Sequence, residues 1–293
     1  MTAFTIGGEA VAPGTRQRVD LKISTLANAT SMDLPVHVVN GQQRGPTFFL
    51  SAAVHGDEIQ GVEIIRRVLL HPALREVKGT LLAVPIVNHF GFITHSRYMA
   101  DRRDLNRSFP GSDRGSLASL LADLFFREVV LRCQYGVDLH TAALHRMNLP
   151  QIYEGGEALR FDEPSIEAGV KGVLRVMAAL GMIAEAPRTA AHHGVTIATA
   201  STWVRAPEGG ILHTLRRCGD RVGRKEVIGV VADPVGGHSV PVVAADDGMI
   251  IGRTQLPLVN RGDALFHIAR AAALSGAKGR SEGAVVADED EII

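Results

Sequence analysis

Two residue types that bind divalent ions sit where an apolar run gives way to a helical pattern. In "FFLSAAVHGDEIQGVEIIRRV" the apolar stretch stops at His55, Gly56 and Asp57 follow, and Glu58 opens an amphipathic segment. A histidine and a glutamate separated by two residues can point at one ion. Zinc takes about four ligands, and catalytic zinc sites often draw three from protein, two histidines and a glutamate among them. A third ligand should come from another strand end, and His140 closes the apolar stretch "YGVDLH". Asp138, two residues earlier, shares its face of the strand. It can support a ligand from outside the coordination sphere, but the spacing does not say which histidine it serves. His-x-x-Glu alone is a weak signal, and with 12 histidines in the chain one could stand at a strand end by chance. His192 and His193, adjacent in a glycine-flanked loop, read as surface residues.

The elements that must hold these side chains are legible as alternating patterns. "QRVDLKIS" and "LPVHVVNG" alternate as strands at a sheet edge, and "TFFLSAAV" (47–54) is a continuous apolar run, as in a strand buried on both faces. In "EIQGVEIIRRVLLHP" the residues Ile59, Val62, Ile65, Val68 and Leu69 recur at helical spacing, and Pro72 ends the helix. "TLLAVPIVN" (80–88) and "YGVDLHT" (135–141) are further strands, while "LASLLADLFFREVVLRC" (117–133) and "SIEAGVKGVLRVMAALG" (165–181) are helices. Strands alternating with helices imply an α/β fold, a mainly parallel mixed sheet flanked by helices. Ligand sites in such sheets form at the carboxyl ends of the strands. Gly56 is expected to let the backbone turn there, and Glu58 at a helix start suits the helix dipole. From about residue 200 the texture changes to short apolar runs punctuated by glycine, the pattern of an all-β domain. The expected division is 1–199, 200–275, and a polar acidic tail over 276–293.

The 293 residues suffice for a sizeable core, and 46% of them are apolar. Lysine plus arginine and aspartate plus glutamate number 31 each, so no global charge favours nucleic acid or an anionic membrane. No stretch has the roughly 18 apolar residues of a membrane span, and "MTAFTIGGEAVAPGTRQ" lacks the pattern of a secretory leader. Cys133 and Cys218 are too few for a disulfide scaffold. These features lead to the expectation of a cytoplasmic protein with no membrane or nucleic-acid partner.

His55-Gly-Asp-Glu58, "DLNRSFPG" (104–111), "DLHT" (138–141) and "YEGGE" (153–157) stand in an order and spacing that resembles the succinylglutamate desuccinylase/aspartoacylase family. The resemblance runs from about residue 45 to the helix ending near 181. It implies a zinc carboxypeptidase-like fold with one zinc ion per chain, held by His55, Glu58 and His140. Asp57 fits the motif but is not a ligand in the family. The resemblance further implies Glu154 as general base, with Glu157 its nearest competitor, and Asn106 and Arg107 as the residues that hold a substrate carboxylate. The chemistry agrees. A positioned carboxylate can move a proton from water to a leaving amine, typically worth about 10²–10⁴-fold, and the planar fork of Arg107 matches a carboxylate. A second cation should face the developing oxyanion, and Arg97, Arg102 and Arg103 are its candidates. In the best-known aspartoacylases an Arg-Tyr pair lies eight residues before the substrate arginine, whereas here Arg97-Tyr98 lies ten before Arg107. Arg103 is the preferred choice, and an acidic-amino-acid pocket does not simply transfer.

The C-terminal region resembles a biotinyl/lipoyl-type β hammerhead (barrel-sandwich-like), but its hairpin "VVADPVGGH" has no lysine to carry a cofactor. It is expected to narrow access to the cleft or to build a homo-oligomer interface, with Trp203 packed in its core. The function expected is that of a zinc-dependent amidohydrolase, a deacylase cleaving a small N-acyl amino acid or related N-acyl amine that bears a carboxylate. The alternatives are a metallocarboxypeptidase on short peptides and a catalytically inactive binding module of the same fold. The residues do not specify the acyl group, the amine, the pathway or the oligomeric state.

Overall fold

The computed structural model describes residues 2–25, 27–149, 154–185 and 198–271. These group into two units, 2–144 with 154–185, and 145–149 with 198–271. His192, His193 and the acidic tail lie outside the described residues.

The first unit opens with a small hairpin, β1 (Phe4–Ile6) and β2 (Glu9–Val11). β3 (Thr15–Thr25), β4 (Ser31–Asn40), β5 (Gln43–Ala52), α1 (Gln60–Leu70), β6 (Lys78–Val84) and the short α2 (His89–Thr94) follow. Then come α3 (Leu117–Glu128), β7 (Tyr135–Ala142), β9 (Glu154–Glu157) and α4 (Glu163–Ala179). One mixed sheet runs in the order β9-β7-β5-β6-β4-β3. β5 is parallel to β6 and to β7, and β7 is parallel to β9, while β4 is antiparallel to both its neighbours. The two alternating stretches expected at a sheet edge are β3 and β4.

Side chains alternate across the central strands because successive Cβ atoms point to opposite faces. Leu82 and Val84 of β6 pack with Leu121, Ala122 and Phe125 of α3. Leu81 and Ala83 pack with Ile64, Ile65 and Val68 of α1 and with Ile166, Val173 and Leu174 of α4. Ile64, absent from the expected stripe, is thus part of the buried face of α1. α3 and α4 begin at side-chain caps: Ser116 accepts from the Ser119 N–H, and Asp162 from that of Ser165.

The connections decide where a site can form. After β5 the chain crosses by α1 to β6 on one side; after β6 it returns by α3 to β7 on the other side of β5. The crevice outside the carboxyl ends of β5 and β7 is therefore the switch point at which such sheets bind ligands.

Among the described residues of the second unit all regular structure is β. It comprises β8 (Arg146–Asn148), β10 (Ala198–Arg205), β11 (Gly210–Thr214), β12 (Arg221–Val222) and β13 (Val227–Ala232). β14 (Ser239–Val243), β15 (Gly248–Thr254), β16 (Leu258–Val259) and β17 (Ala264–Ala271) complete it. β10, β17, β15 and β8 pair in that order, with β12 also on β15, and β14-β13-β11-β16 form a second sheet. Val204, Leu212, Ile228, Val231, Ile250 and Phe266 are in its core. Trp203 is not: it stacks on His267 at 4.5 Å, and the Arg146 guanidinium lies 5.1 Å from its ring centre. Its neighbour Val204 points inward, so alternation turns Trp203 to the opposite face. No helix among the described residues is long and apolar enough to cross a membrane.

Candidate metal centre

β5 ends at Ala52, and Ala53 adopts a left-handed backbone with φ 50°. The chain then tightens, with the Glu58 N–H donating to the His55 carbonyl at 3.1 Å. The turn expected of Gly56 is thus begun by Ala53. Gly56 is needed for space: a Cβ there would lie 2.0 Å from the Gly91 carbonyl carbon and 2.2 Å from the Phe92 nitrogen. The backbone of the ligand turn rests directly on the backbone of α2.

This turn brings His55 and Glu58 to His140 on β7. One potential ligand atom from each falls within 4.8 Å of the others. His55 and Glu58 are buried, and the two imidazole centres are 5.0 Å apart. The His55 Nδ1 is 2.6 Å from Glu58 Oε1, and the His140 Nδ1 is 2.8 Å from Glu58 Oε2. The Thr141 backbone N–H also donates to Oε2, at 2.9 Å. Both outer nitrogens face carboxylates: His55 Nε2 lies 3.3 Å from Asp104, and His140 Nε2 lies 2.8 Å from Asp138. The histidine that Asp138 serves is therefore His140, and Ser51 donates to the other Asp138 oxygen at 2.7 Å. Two Nδ1 atoms and a carboxylate converging, with each Nε2–H tied to an acid, is a donor set suited to zinc.

The electrostatics match that set. Burial alone would raise the Glu58 carboxyl, but hydrogen bonds from His140 and His55 pull it down to about 2. Burial also works against charge on His140 and His55, yet Asp138 and Glu58 raise the former well above 6.5 and Asp104 and Glu58 raise the latter. Both imidazoles are thus protonated more readily than a free imidazole, and a cation bound there would compete with protons. Asp57 does not join the cluster. It is buried, with 6% exposure, and burial raises its carboxyl.

Of the three candidate arginines, Arg97 is the one brought to the cluster. Its guanidinium is 3.6 Å from Glu58 Oε1 and 3.1 Å from Asp104 Oδ2. Arg103 pairs with Asp101 at 3.6 Å and leaves 64% of its side chain exposed. The reason is a tight turn: the Met99 N–H donates to the Arg103 carbonyl, the Arg102 N–H to that of Met99, and Arg102 has φ 63°. The turn takes up chain between Arg97 and Asp104, so a ten-residue spacing to Arg107 still returns Arg97 to the site. Asn106 and Arg107 are exposed, on a single 3-10 turn (Leu105–Arg107) capped by Asp104.

Glu154 opens β9 directly opposite His140 in the β7–β9 register. The buried Gln60 amide donates to the carbonyls of Gly155 and Glu157, at 3.2 and 3.4 Å, and fastens this strand to the start of α1. Gly156, with φ 78°, leaves the room: a Cβ there would lie 2.0 Å from Gln60 Nε2. Sequence reasoning missed Gln60, which carries no local signal. It also missed Asp104 as a partner of His55, although Asp104 opens a motif that the reasoning used.

A mixed-sheet α/β unit with a His-Glu-His cluster at its switch point is the class of protein that fold and site define. Comparison with known proteins shows what the chain is similar to. Residues 44–154 match the succinylglutamate desuccinylase/aspartoacylase catalytic domain. An N-alpha-acetyl-L-2,4-diaminobutyric acid deacetylase of Halomonas elongata is 34% identical over 109 residues, 37% of this chain and 32% of the relative. The match thus spans about a third of the length of that curated relative. A succinylglutamate desuccinylase/aspartoacylase structure from Rhodobacter sphaeroides superposes with a TM-score of 0.75 at 22% identity, covering 88% of this chain and 96% of that one. The product-bound ectoine utilization protein EutE (DoeB) from Ruegeria pomeroyi gives 0.73 at 20% identity, over 87% and 95%. At these identities the two structures establish the fold.

Proposed function

We propose that this chain is a zinc-dependent deacylase that hydrolyses the amide bond of a small N-acyl amino acid, or related N-acyl amine, bearing a carboxylate. The observation that carries the proposal is the convergence of His55, Glu58 and His140, with Glu154 in register beside His140. Zinc held by the three side chains would supply Lewis-acid polarisation and make water acidic near neutral pH. The Glu154 carboxylate takes the proton of the attacking water and delivers it to the leaving amine. Arg97, in place of Arg103, faces the developing oxyanion. Asn106 and Arg107, exposed on one turn, hold the substrate carboxylate; an arginine fork and an amide suit that group. The second unit, placed at about 200–275, is proposed as a hammerhead-like structural domain. The segment joining β13 to β14, Asp233–His238, has no lysine for a lipoyl or biotinyl group.

The curated relative is named for an N-acetylated diamino acid, so N-acetyl amino acids head the substrate screen, followed by N-succinyl and N-formyl amino acids and short peptides. Release of a free amine from the first groups supports the deacylase. Cleavage of the peptides alone points to a carboxypeptidase, and no turnover with bound zinc to a binding module. Glu154→Gln should retain about one zinc per chain and lose about 10²–10⁴-fold in turnover; full activity refutes the assignment of the base.

A further inference from the structure

Asp104 opens the "DLNRSFPG" motif, and its contacts reach beyond that motif. Its Oδ1 accepts from the Asn106 backbone N–H at 2.8 Å and lies 3.3 Å from His55 Nε2. Its Oδ2 accepts from Arg97 Nε at 3.1 Å. One carboxylate therefore touches an imidazole of the cluster, the arginine beside Glu58, and the N-terminal amide of the turn that presents Asn106 and Arg107. The backbone carbonyl of Asp104 adds a fourth tie, accepting from Ser108 Oγ at 2.9 Å. Asp138 makes a contrasting set of contacts. It holds His140 and Ser51, both on strands, and reaches no part of the turn.

We propose that Asp104 is a positioning residue that couples occupation of the metal site to the order of the Asn106–Arg107 turn. The inference rests on the metal and carboxylate assignments proposed above. His55 Nδ1 and Glu58 Oε1 face one another at 2.6 Å. His55 and Glu58 would both hold a bound cation; with Nδ1 so engaged, His55 Nε2 would carry the proton and its hydrogen bond to Asp104 would strengthen. The carboxylate is then held from both sides, by His55 and Arg97, and its free lone pair clamps the Asn106 amide. By linkage the effect is reciprocal: a carboxylate ligand that orders the turn tightens the hold on the metal by the same factor.

Amide hydrogen exchange, with and without zinc, on wild type, Asp104→Asn, Asp104→Ser and Asp138→Asn tests this directly. Asp104→Ser keeps a good cap for the Asn106 amide but cannot reach His55 and Arg97, so it separates coupling from folding of the turn. Zinc affinity, measured by competition with a chromogenic chelator, should fall about 10–100-fold in all three variants. At saturating zinc, exchange in a peptide covering residues 105–108 should slow in wild type and in Asp138→Asn, and stay unchanged in both Asp104 variants. With the substrate found by the screen, the Asp104 variants should also show a KM increase that Asp138→Asn lacks. Equal zinc-dependent protection in the Asp104 variants overturns the coupling, as does bound zinc with no protection in wild type. Failure of wild type to bind zinc at all overturns the metal assignment instead, and is seen separately in the chelator assay.

Discussion

Gly56→Ala should perturb the candidate metal centre without changing any of its three proposed ligands. A Cβ at residue 56 would sit 2.0 Å from the Gly91 carbonyl carbon, 2.2 Å from the Phe92 nitrogen and 2.5 Å from the Gly91 Cα. Carbon atoms not bonded to each other prefer about 3.5–4.0 Å, so the two backbones must separate by roughly 1.5 Å. No rotamer can relieve the clash, because every atom met is backbone. Gly91 cannot yield easily either, since its N–H is held by Asn88 Oδ1 at 2.8 Å. Overpacking costs about 1–3 kcal/mol, and this case belongs at or above the upper end. A loss of about 3 kcal/mol is roughly two powers of ten in the folding equilibrium. It lowers the urea midpoint by about 1 M if the slope is near 3 kcal/mol per M. His55 is the preceding residue and Glu58 lies two further on, so the same displacement should weaken zinc binding by at least about tenfold. Gly172→Ala is the control. It lies within α4, nothing stands within 4 Å of its added Cβ, and it should stabilise by about 0.5–1 kcal/mol. Urea unfolding and chelator competition measure both effects. A Gly56→Ala protein with wild-type midpoint and wild-type zinc affinity would refute the argument that this glycine is required for space.

Further outcomes follow from the same geometry. Arg97→Ala should reduce kcat by about 10²–10³-fold with zinc retained, whereas Arg103→Ala should stay within about threefold of wild type, as a surface change; the reverse order would restore Arg103 to the site. The pH dependence of metal-free stability has a determined sign. The raised His55 and His140 contribute stability that is fully present below about pH 6.5 and is lost as pH rises through their folded values. The depressed Glu58 contributes stability above its unfolded value, lost as pH falls toward about 2. Metal-free protein should therefore melt lower at pH 9 than at pH 6, while zinc affinity rises over that interval as protons are displaced; a flat metal-free melting profile contradicts the assigned contacts. Burial pushes the Cys133 thiol up to about 12 and raises Cys218 as well, so both should react slowly with a chromogenic disulfide at pH 8 until the protein is denatured. Rapid labelling of native protein would contradict their burial.

Much of the candidate site is legible in the sequence because its chemistry is written in residue types at element boundaries. An apolar run ending at His55, a helix pattern opening after Glu58, and a strand closing with His140 placed all three at strand ends, and period-two and helical spacing are local properties of the chain. What spacing could not convey was which side chains meet. Whether the chain from Arg97 to Asp104 is taken up by a turn decides which arginine reaches Glu58, and that depends on the left-handed Arg102. The partner of Asp138 and the role of Asp104 depend on ring orientations set by packing. Trp203 faces away from the core because a strand shows its phase only once its neighbours are known. Gly56 read as a turn residue because the chain near it says nothing of Gly91, 35 positions later, whose backbone it touches. Local pattern in the chain accounts for the residue types of the candidate site and for the strands and helices that carry them. The orientation and partners of those side chains come from tertiary packing, since contacts between segments far apart in the chain leave no local pattern in either one.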